Sequence, residues 1–287
     1  MKISPTDLIL NPDGSIYHLN LRPEHLADTI ITVGDPDRVD KVSKYFDKIE
    51  FKIKKREFIT HTGMLGGKRL TVISSGIGTD NVEILMNELD ALVNIDLETF
   101  EEKSIHKSLK IIRLGTSGSL QAHIPIDSFV ISERGIGLDT LGEFYPNSYS
   151  LLGQALRRNL NLKITPYSIR AGMKLFNFFK KNAPQNWYEG TTVTCPGFYA
   201  PQGRVLRYDA KIDGLLDKFN NFQYDGIMLT NLEMETAGYY LMGKILGHEV
   251  LSISAILANR MTNEFSKQPE KQVSSLIQYA LEKIISI

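Results

Sequence analysis

One stretch of the sequence, Ile111-Ile112-Arg113-Leu114-Gly115-Thr116-Ser117-Gly118, introduces the pattern from which the fold is inferred. The first half is a short apolar run, which is typical of a strand covered on both faces. The second half predicts a glycine-containing turn at the end of that strand, where backbone N–H groups can approach an anion closely. Arg113 interrupts the apolar run, and a charge placed so deep normally needs a partner.

Other segments share this β-rich, mostly apolar composition: residues 29–33, 70–74, 129–132, 227–230 and 250–256. Because most are continuous apolar runs, they suit strands of a sheet that is covered by helices on both faces.

Apolar residues at helical spacing predict helices between and after these strands. The first has Asp80 as its N-cap, the second runs from near Glu233 to Gly247, and the third closes the chain and carries Val273. Since strands and helices alternate, the sequence predicts an α/β fold. We expect a single domain over residues 1–287, with a central mixed, largely parallel β-sheet flanked by helices.

Bulk composition excludes several classes of partner. The chain of 287 residues has 33 Lys plus Arg and 33 Asp plus Glu, so no global field attracts nucleic acid or an anionic membrane.

The single cysteine, Cys195, excludes an internal disulfide framework and fits a reducing compartment. Neither a signal peptide nor a membrane-spanning run is evident, so we expect a cytoplasmic protein. The polar segment 94–108 is predicted to be a solvated surface insertion.

Arginines accompany the predicted glycine turns. Arg38 follows Gly34-Asp35-Pro36-Asp37, Arg113 precedes its own turn, and a further turn lies at residues 76–79. Guanidinium groups bind phosphate oxygens in a bidentate fork, and Thr116 would add a hydroxyl donor. Each turn alone also fits an ordinary strand-to-helix connection, and none has the glycine spacing of a dinucleotide or P-loop site.

Two later segments carry groups suited to a heterocycle and a sugar. In residues 194–204, Phe198 could cover a base face while Gln202 and Arg204 bond to its oxygens and ring N–H, although composition alone favours an ordinary polar loop. In residues 231–235, a carboxylate could accept the two hydroxyls of a ribose, although acids also favour the first turn of a helix. Glu233 and Glu235 share one side if this segment is extended and diverge if it is helical.

Seven short motifs occur in order along nearly the whole chain: GDPDR (34–38), KREF (55–58), SSGIG (74–78), RLGTSG (113–118), FYAPQGR (198–204), NLEMET (231–236) and ANR (258–260). This ordered set resembles the nucleoside phosphorylase superfamily, and most closely its hexameric uridine phosphorylases. The resemblance implies a pentosyltransferase that cleaves the N-glycosidic bond of uridine with inorganic phosphate, giving uracil and ribose 1-phosphate. It also implies a homo-oligomer, a hexamer built as a trimer of dimers, that needs no organic cofactor.

The resemblance implies a phosphate site made by the Gly34 backbone with Arg38, Arg113 and Thr116, and completed by Arg56 from a neighbouring subunit. The resemblance also implies which side chains are catalytic, because they would stabilise the charges that develop in the reaction. They are Arg38, Arg113, Thr116, Arg204 and Glu235.

The implied ribose site consists of Glu235 and Met234, next to Glu233, with His18 of the same neighbour reaching the 5'-hydroxyl. The base would lie on Phe198 and bond to Gln202 and Arg204.

The resemblance also bears on whether the substrate carries a purine or a pyrimidine, and on whether the protein binds potassium. Purine-cleaving relatives carry an aspartate on the late strand, whereas residues 255–260 contain no acid, which favours a pyrimidine. Some members bind potassium between subunits through a glutamate, a backbone carbonyl and a serine. Glu57 and Ile77 occupy the first two places, but Asn81 replaces the serine, so a potassium site is left open.

Several alternatives stay open at this point. A purine nucleoside phosphorylase or a nucleosidase would belong to the same superfamily, but hydrolysis by water gives no role to three converging arginines. A dinucleotide-dependent oxidoreductase shares the α/β architecture but lacks its glycine fingerprint here. A catalytically silent nucleoside-binding protein is the remaining class.

Overall fold

Apolar stretches of the sequence form the inner strands of an 11-stranded sheet in the computed structural model, which describes residues 2–146 and 150–286. The strands are β1 Thr29–Val33, β2 Lys48–Lys55, β3 Phe58–Leu65, β4 Lys68–Ser74, β5 Ile95–Asp96, β6 Glu101–Glu102, β7 Lys110–Ser119, β8 Phe129–Gly137, β9 Tyr167–Arg170, β10 Trp187–Thr194, β11 Gln223–Tyr224, β12 Ile227–Met228, β13 Asn231–Glu233, β14 Glu249–Asn259 and β15 Glu264–Phe265. The helices are α1 Arg38–Ser43, α2 Thr79–Asn94, α3 Leu151–Leu160, α4 Met173–Lys180, α5 Leu215–Asn221, α6 Thr236–Leu246 and α7 Pro269–Ile285. The α/β class and the mixed sheet flanked by helices are confirmed.

The main sheet follows the order β15-β14-β8-β10-β13-β7-β1-β4-β3-β2, and β9 pairs with β8. Because β14 pairs with β7 as well as with β8, the strands β7, β14, β8, β10 and β13 close into a ring. Around β1 the pairing is parallel, whereas the β2–β3 hairpin adds an antiparallel edge. The sequence analysis did not identify β2, β3 or β10, because these strands mix polar and apolar residues instead of forming continuous apolar runs.

The sheet divides at β7. One edge of β7 pairs with β14 from Lys110 to Ser119. The other edge pairs with β1 over residues 110–114 and then with β13 only at Gly118 and Ser119. Between these two partners, no strand in the described part of the chain pairs with that edge at residues 115–117. We call this opening in the sheet the sheet fork.

The predicted turn at residues 115–118 is wrong, since these residues continue β7 to Ser119. Pairing with β14 keeps them extended, with Gly115 opposite Ser254. Glycine serves close packing here instead of chain reversal. A Cβ atom at Gly115 would lie only 2.1 Å from Nη1 of Arg113, so the missing side chain makes room for the guanidinium.

Two predicted helix starts differ from the structure. The second helix of the fold, α2, begins at Thr79 and has Gly78, with φ of 93°, in place of Asp80 as its N-cap. The helix predicted from Glu233 begins later, at Thr236, because the preceding residues form β13. Its predicted end at Gly247 is confirmed, as is the closing helix α7.

The strand predicted at residues 227–230 is confirmed only for residues 227 and 228. Its first part is β12, one arm of a small antiparallel hairpin with β11, and its last part leads into β13. The segment 94–108 is largely exposed, as predicted, and carries the short β5–β6 hairpin. Within the described ranges, no helix combines the length and apolar character needed to cross a lipid bilayer.

Candidate active site

A cavity of about 810 Å³ opens at the sheet fork. It lies where β1, β4 and β13 lead into α1, α2 and α6, so strand ends and helix starts converge on it. The structure places nearly all predicted site residues on its walls: Gly34, Arg38, Arg113, Thr116, Phe198, Gln202, Arg204, Glu233, Met234 and Glu235. Two predicted residues, His18 and Arg56, do not line it.

Arg113 is buried at the fork and binds two carboxylates. Its Nη2 donates to Oε2 of Glu235 at 2.5 Å and lies 2.9 Å from Oε2 of Glu233. Its Nη1 donates to Oγ of Ser252 at 3.2 Å. Burial acts to lower the pKa of Arg113, but the charges of Glu233 and Glu235 outweigh it and the net shift is upward. The partner expected for the buried charge of Arg113 is therefore a pair of carboxylates, those of Glu233 and Glu235.

Glu235 connects the starts of two helices. Its Oε1 accepts the backbone N–H of Gly78 at 2.9 Å, while its Oε2 binds Arg113. Burial raises the pKa of Glu235, Arg113 opposes that shift, and Glu233 reinforces it. Since two carboxylates share one guanidinium, the cluster carries excess negative charge. Each carboxylate oxygen of Glu235 also keeps a lone pair that can accept a hydroxyl hydrogen bond.

Glu233 is fully engaged by the protein. Its Oε1 accepts the hydroxyl of Thr194 at 2.7 Å, and its oxygens accept the backbone N–H groups of Glu235 and Thr236 at 3.0 to 3.1 Å. These bonds satisfy donors at the start of α6, which would otherwise lack partners. Both acids face Arg113, and Glu233 holds the backbone of Glu235 in place.

A second guanidinium faces the cavity from α1. Nη1 of Arg38 donates to the backbone oxygen of Leu114 at 3.3 Å. Burial lowers the pKa of Arg38; Asp35 opposes this shift and the positive charge of Arg113 reinforces it. A bound anion would relieve this repulsion between guanidinium groups. Gly34 and Thr116 line the same cavity as the two arginines. The predicted anion-binding groups therefore all face one space.

Phe198, Gln202 and Arg204 form one unit. The guanidinium carbon of Arg204 lies 3.7 Å from the centroid of the Phe198 ring. Nη1 of Arg204 donates to Oε1 of Gln202 at 2.6 Å and to the backbone oxygen of Phe198 at 2.8 Å. One face of the aromatic ring is therefore covered by the guanidinium, and a base can use only the ring's other face or its edge. The amide nitrogen of Gln202 is the donor that remains for a ligand carbonyl.

Sequence reasoning assigned no role to Arg260, although it ends the ANR motif. Its Nη1 donates to the backbone oxygen of Gln202 at 3.0 Å and so supports the base loop from β14. Apolar side chains at Leu257 and Phe265 also line the cavity and were not predicted. Phe265 belongs to the two-residue strand β15, which is too short to leave a periodic signal.

The positions considered for potassium lie together beside Gly76. A Cβ atom on Gly76 would lie 2.5 Å from Nδ2 of Asn81 and 3.2 Å from Cγ of Glu57. Nδ2 of Asn81 donates to the backbone oxygen of Ile77 at 3.5 Å. A hard cation requires oxygen ligands, and here an amide N–H is directed at the carbonyl that would supply one. In this rotamer Asn81 presents its amide nitrogen, and not its amide oxygen, to the Ile77 carbonyl, and the potassium site stays a prediction.

His18 and Arg56 lie together on the surface, outside the cavity of their own chain. Tyr17 connects them, because its ring packs edge-on against His18 at 4.8 Å and lies 5.8 Å below the guanidinium carbon of Arg56. Lys55 lies 4.7 Å from the same ring and donates to the backbone oxygen of Tyr17. We call Tyr17, His18, Lys55 and Arg56 the Tyr17 cluster.

Arg56 has an unusual backbone. It follows β2 in the tight β2–β3 hairpin, where its φ of 54° is in the left-handed region that favours glycine. A non-glycine residue in this region is strained and often marks a functional position.

Comparison with known proteins agrees with this geometry. The model of the phosphorylase superfamily matches residues 28–286. The uridine phosphorylase of Thermococcus kodakarensis is 29% identical over 274 residues, which cover 94% of this chain and 87% of the relative. The uridine phosphorylase of Haemophilus influenzae is 28% identical over 285 residues, with 95% and 100% covered.

A solved structure of Trypanosoma brucei nucleoside phosphorylase, described as showing uridine phosphorylase activity, superimposes with a TM-score of 0.87. Its sequence is 28% identical, and the alignment covers 98% of this chain and 100% of that one. Because the superfamily match extends from β1 to the end of α7 and includes every wall of the cavity, this chain belongs to the phosphorylase superfamily.

Proposed function

We propose that this chain catalyses the phosphorolysis of uridine, giving uracil and ribose 1-phosphate. The observation that carries the proposal is the buried contact between Arg113 and Glu235 at the sheet fork. It joins a group suited to phosphate and a group suited to a ribose diol, at the spacing of a single hydrogen bond. The relatives named above as uridine phosphorylases support the same reaction.

Phosphate is the nucleophile in this proposal. The backbone of Gly34 and the side chains of Arg38, Arg113 and Thr116 bind it, and Arg56 of a neighbouring subunit completes the site. Holding phosphate against C1' of the sugar converts a bimolecular attack into a positioned one. As the C1'–N1 bond breaks, positive charge grows on the sugar, and the bound phosphate is also its counter-charge.

The ribose is held through its diol by Glu235, with Met234 beside it and His18 of the neighbouring subunit near the 5'-hydroxyl. A carboxylate accepts hydroxyl hydrogen bonds more strongly than a neutral acceptor does. We assign Glu233 to holding Glu235 and Thr236, because its oxygens already accept bonds from the protein.

Uracil leaves with negative charge on its oxygens. Arg204 and the amide of Gln202 stabilise that charge, while Phe198 contacts the ring. Burial lowers the pKa of Arg204 and the nearby Arg260 lowers it further, so an anionic leaving group is electrostatically favoured there. Residues 255–260 offer no acid to protonate a purine, which supports a pyrimidine substrate.

We propose that the working enzyme is a homo-oligomer, a hexamer built from dimers that share active sites. The Tyr17 cluster supports this arrangement, because it presents His18 and Arg56 side by side on a surface outside their own chain's cavity. A single neighbouring subunit could therefore deliver both residues. Inorganic phosphate is the co-substrate, and no organic cofactor enters the scheme. A cytoplasmic location is proposed from the single free cysteine.

The proposal is tested by measuring base release from uridine, thymidine, inosine and adenosine, each with and without inorganic phosphate. We expect strictly phosphate-dependent turnover, with uridine cleaved far better than inosine. Comparable rates for uridine and inosine would overturn the pyrimidine assignment. Equal turnover without phosphate would identify a nucleosidase, and uridine binding without any turnover would identify a nucleoside-binding protein.

A further inference from the structure

A carboxylate holds the imidazole of His18 on the surface of the chain. Oε1 of Glu88, which belongs to α2, lies 2.6 Å from Nδ1 of His18. Both oxygens of Glu88 accept the backbone N–H of His18 at 3.0 Å, and Oε2 accepts that of Leu19 at 2.9 Å. The side chains of His18 and Glu88 are 27% and 12% exposed. The contact is thus shielded, while the imidazole keeps an accessible edge.

This contact selects one tautomer of the imidazole. An ionised carboxylate can only accept hydrogen bonds, so the shared hydrogen must reside on Nδ1 of His18. In the neutral ring, Nε2 then carries the lone pair and is the acceptor available to a ligand. Because Glu88 also binds the backbone N–H groups of His18 and Leu19, it fixes the position of the ring as well as its tautomer.

The imidazole also contacts the ring of Tyr17, at 4.8 Å between centroids. Tyr17 packs against His18 with an interplanar angle of 81°, and Lys55 ties the backbone oxygen of Tyr17 to β2. His18 is therefore held by Glu88 of α2 and by the ring of Tyr17. A ring confined in this way loses little conformational freedom when it binds a ligand, which favours affinity.

We propose that Glu88 is a positioning residue for nucleoside recognition in the neighbouring subunit. It fixes the Nδ1–H tautomer of His18 and directs Nε2 to accept the 5'-hydroxyl hydrogen of the bound nucleoside. This inference rests on the proposed function and on the shared site. Glu88 would thereby affect substrate choice without touching the substrate. Nucleosides with a free 5'-hydroxyl would be preferred over 5'-deoxy nucleosides, because only they can donate to Nε2 of His18.

The test compares kcat/KM for uridine and 5'-deoxyuridine in the wild type and in Glu88→Gln. The amide of glutamine can donate to Nδ1, which moves the ring hydrogen to Nε2 and removes the acceptor. We expect the preference for uridine to fall about 10-fold, the scale at which partners that orient a histidine ligand act, while 5'-deoxyuridine is cleaved as before. In a His18→Ala background, Glu88→Gln should change the preference no further.

Glu83→Gln is the matched control, because Glu83 is on the same helix but contacts Asn87 and Tyr145. It should leave the preference for uridine unchanged. An unchanged preference in Glu88→Gln, in an enzyme that cleaves uridine, would overturn the role of Glu88 alone. Absence of phosphate-dependent uridine cleavage in the wild type would instead overturn the proposed function.

A second measurement does not depend on activity or on a folded variant. The ¹⁵N chemical shifts of the His18 imidazole in the wild-type protein distinguish the two neutral tautomers. We expect the hydrogen on Nδ1. A neutral ring with its hydrogen on Nε2 would refute the proposal, whatever the enzyme cleaves.

Discussion

Glu235 and Arg113 form a buried ion pair, with Oε2 of the acid 2.5 Å from Nη2 of the guanidinium. The proposed ribose partner and a proposed phosphate partner are thus in direct contact before any substrate arrives. Because the two residues are bonded to each other, a change in either of them should affect the binding of both phosphate and nucleoside.

The first prediction concerns the diol. Glu235→Gln keeps the size of the side chain and removes the charge that strengthens hydroxyl hydrogen bonds, so uridine phosphorolysis should fall about 100-fold, as on loss of one preorganised electrostatic partner. The loss should be smaller for 2'-deoxyuridine, which lacks one of the two hydroxyls. Initial rates with both substrates check this. An equal loss for both would mean that Glu235 acts on phosphate through Arg113 and not on the diol.

The second prediction concerns pH and stability. Burial raises the pKa of Glu235, so the folded protein binds this proton more tightly than the unfolded chain does. Between the ordinary carboxylate pKa and the raised value, the folded state holds more protons, and stability therefore falls as pH rises. Glu235→Gln removes the proton site.

We expect the Tm of the wild type to decline relative to that of Glu235→Gln as pH rises through this window, and the difference to level off above it. The buffers must lack phosphate, because a bound ligand would itself raise Tm. A difference with the opposite slope would show that Arg113 dominates the titration of Glu235.

The third prediction concerns the leaving base. Arg204→Ala removes the guanidinium that lies on Phe198 and binds Gln202, so uridine turnover should fall about 100-fold. Arg204→Lys keeps the charge but loses the planar fork, and its loss should be intermediate. With 5-fluorouridine, whose base is a better leaving group, the loss in Arg204→Ala should be smaller. A near wild-type rate in Arg204→Ala would remove this residue from the base site.

The fourth prediction concerns the shared site. Arg38→Ala and Arg56→Ala chains should each be inactive alone. After mixing under subunit-exchanging conditions, some interfaces unite an intact Arg38 with an intact Arg56 of the neighbour, and phosphorolysis should return in part. No recovery despite proven exchange, or full activity in a monomer, would refute the shared site.

The fifth prediction concerns the strained hairpin residue. Holding Arg56 at φ of 54° costs on the order of 1 kcal/mol relative to glycine. Arg56→Gly should therefore unfold at the same or a higher temperature than the wild type, although it should lose phosphorolysis as Arg56→Ala does. Arg56→Ala, which keeps the strain but loses the charge, is the comparison. Loss of stability in Arg56→Gly would show that Tyr17 contacts outweigh the backbone strain.

Buried parallel strands could be assigned from the sequence because both of their faces are covered, so nearly all their residues are apolar. This held for β1, β4, β8 and β14, and for the first half of β7. It failed at residues 115–118, where glycine accommodates the Arg113 side chain and composition alone cannot distinguish close packing from a turn. It failed again for β2, whose alternating exposure gives a weaker signal than a continuous run does.

The cavity walls were predicted better than their internal contacts. Ordered motifs indicated the groups around Arg113 and Gln202, but not that Arg204 covers one face of Phe198. Sequence reasoning also gave no sign of Glu88, because its partner lies 70 residues away in the chain and helix periodicity treats it as a solvated acid. Contacts of this kind depend on how α2 packs against His18 and Leu19, which precede β1 in the chain.

The sheet fork implies that substrate completes the sheet. Among the described residues, a strand pairs with residues 115–117 on one edge only. A ligand held between Arg38 on the β1 side and Glu235 on the β13 side would span the gap where another strand would lie. Bound phosphate and nucleoside would therefore act as a cross-link between the β1 side of the sheet and the ring of strands that contains β13. Amide hydrogens of β13 and of the central part of β7 should then exchange with solvent more slowly in the ternary complex than in the free protein.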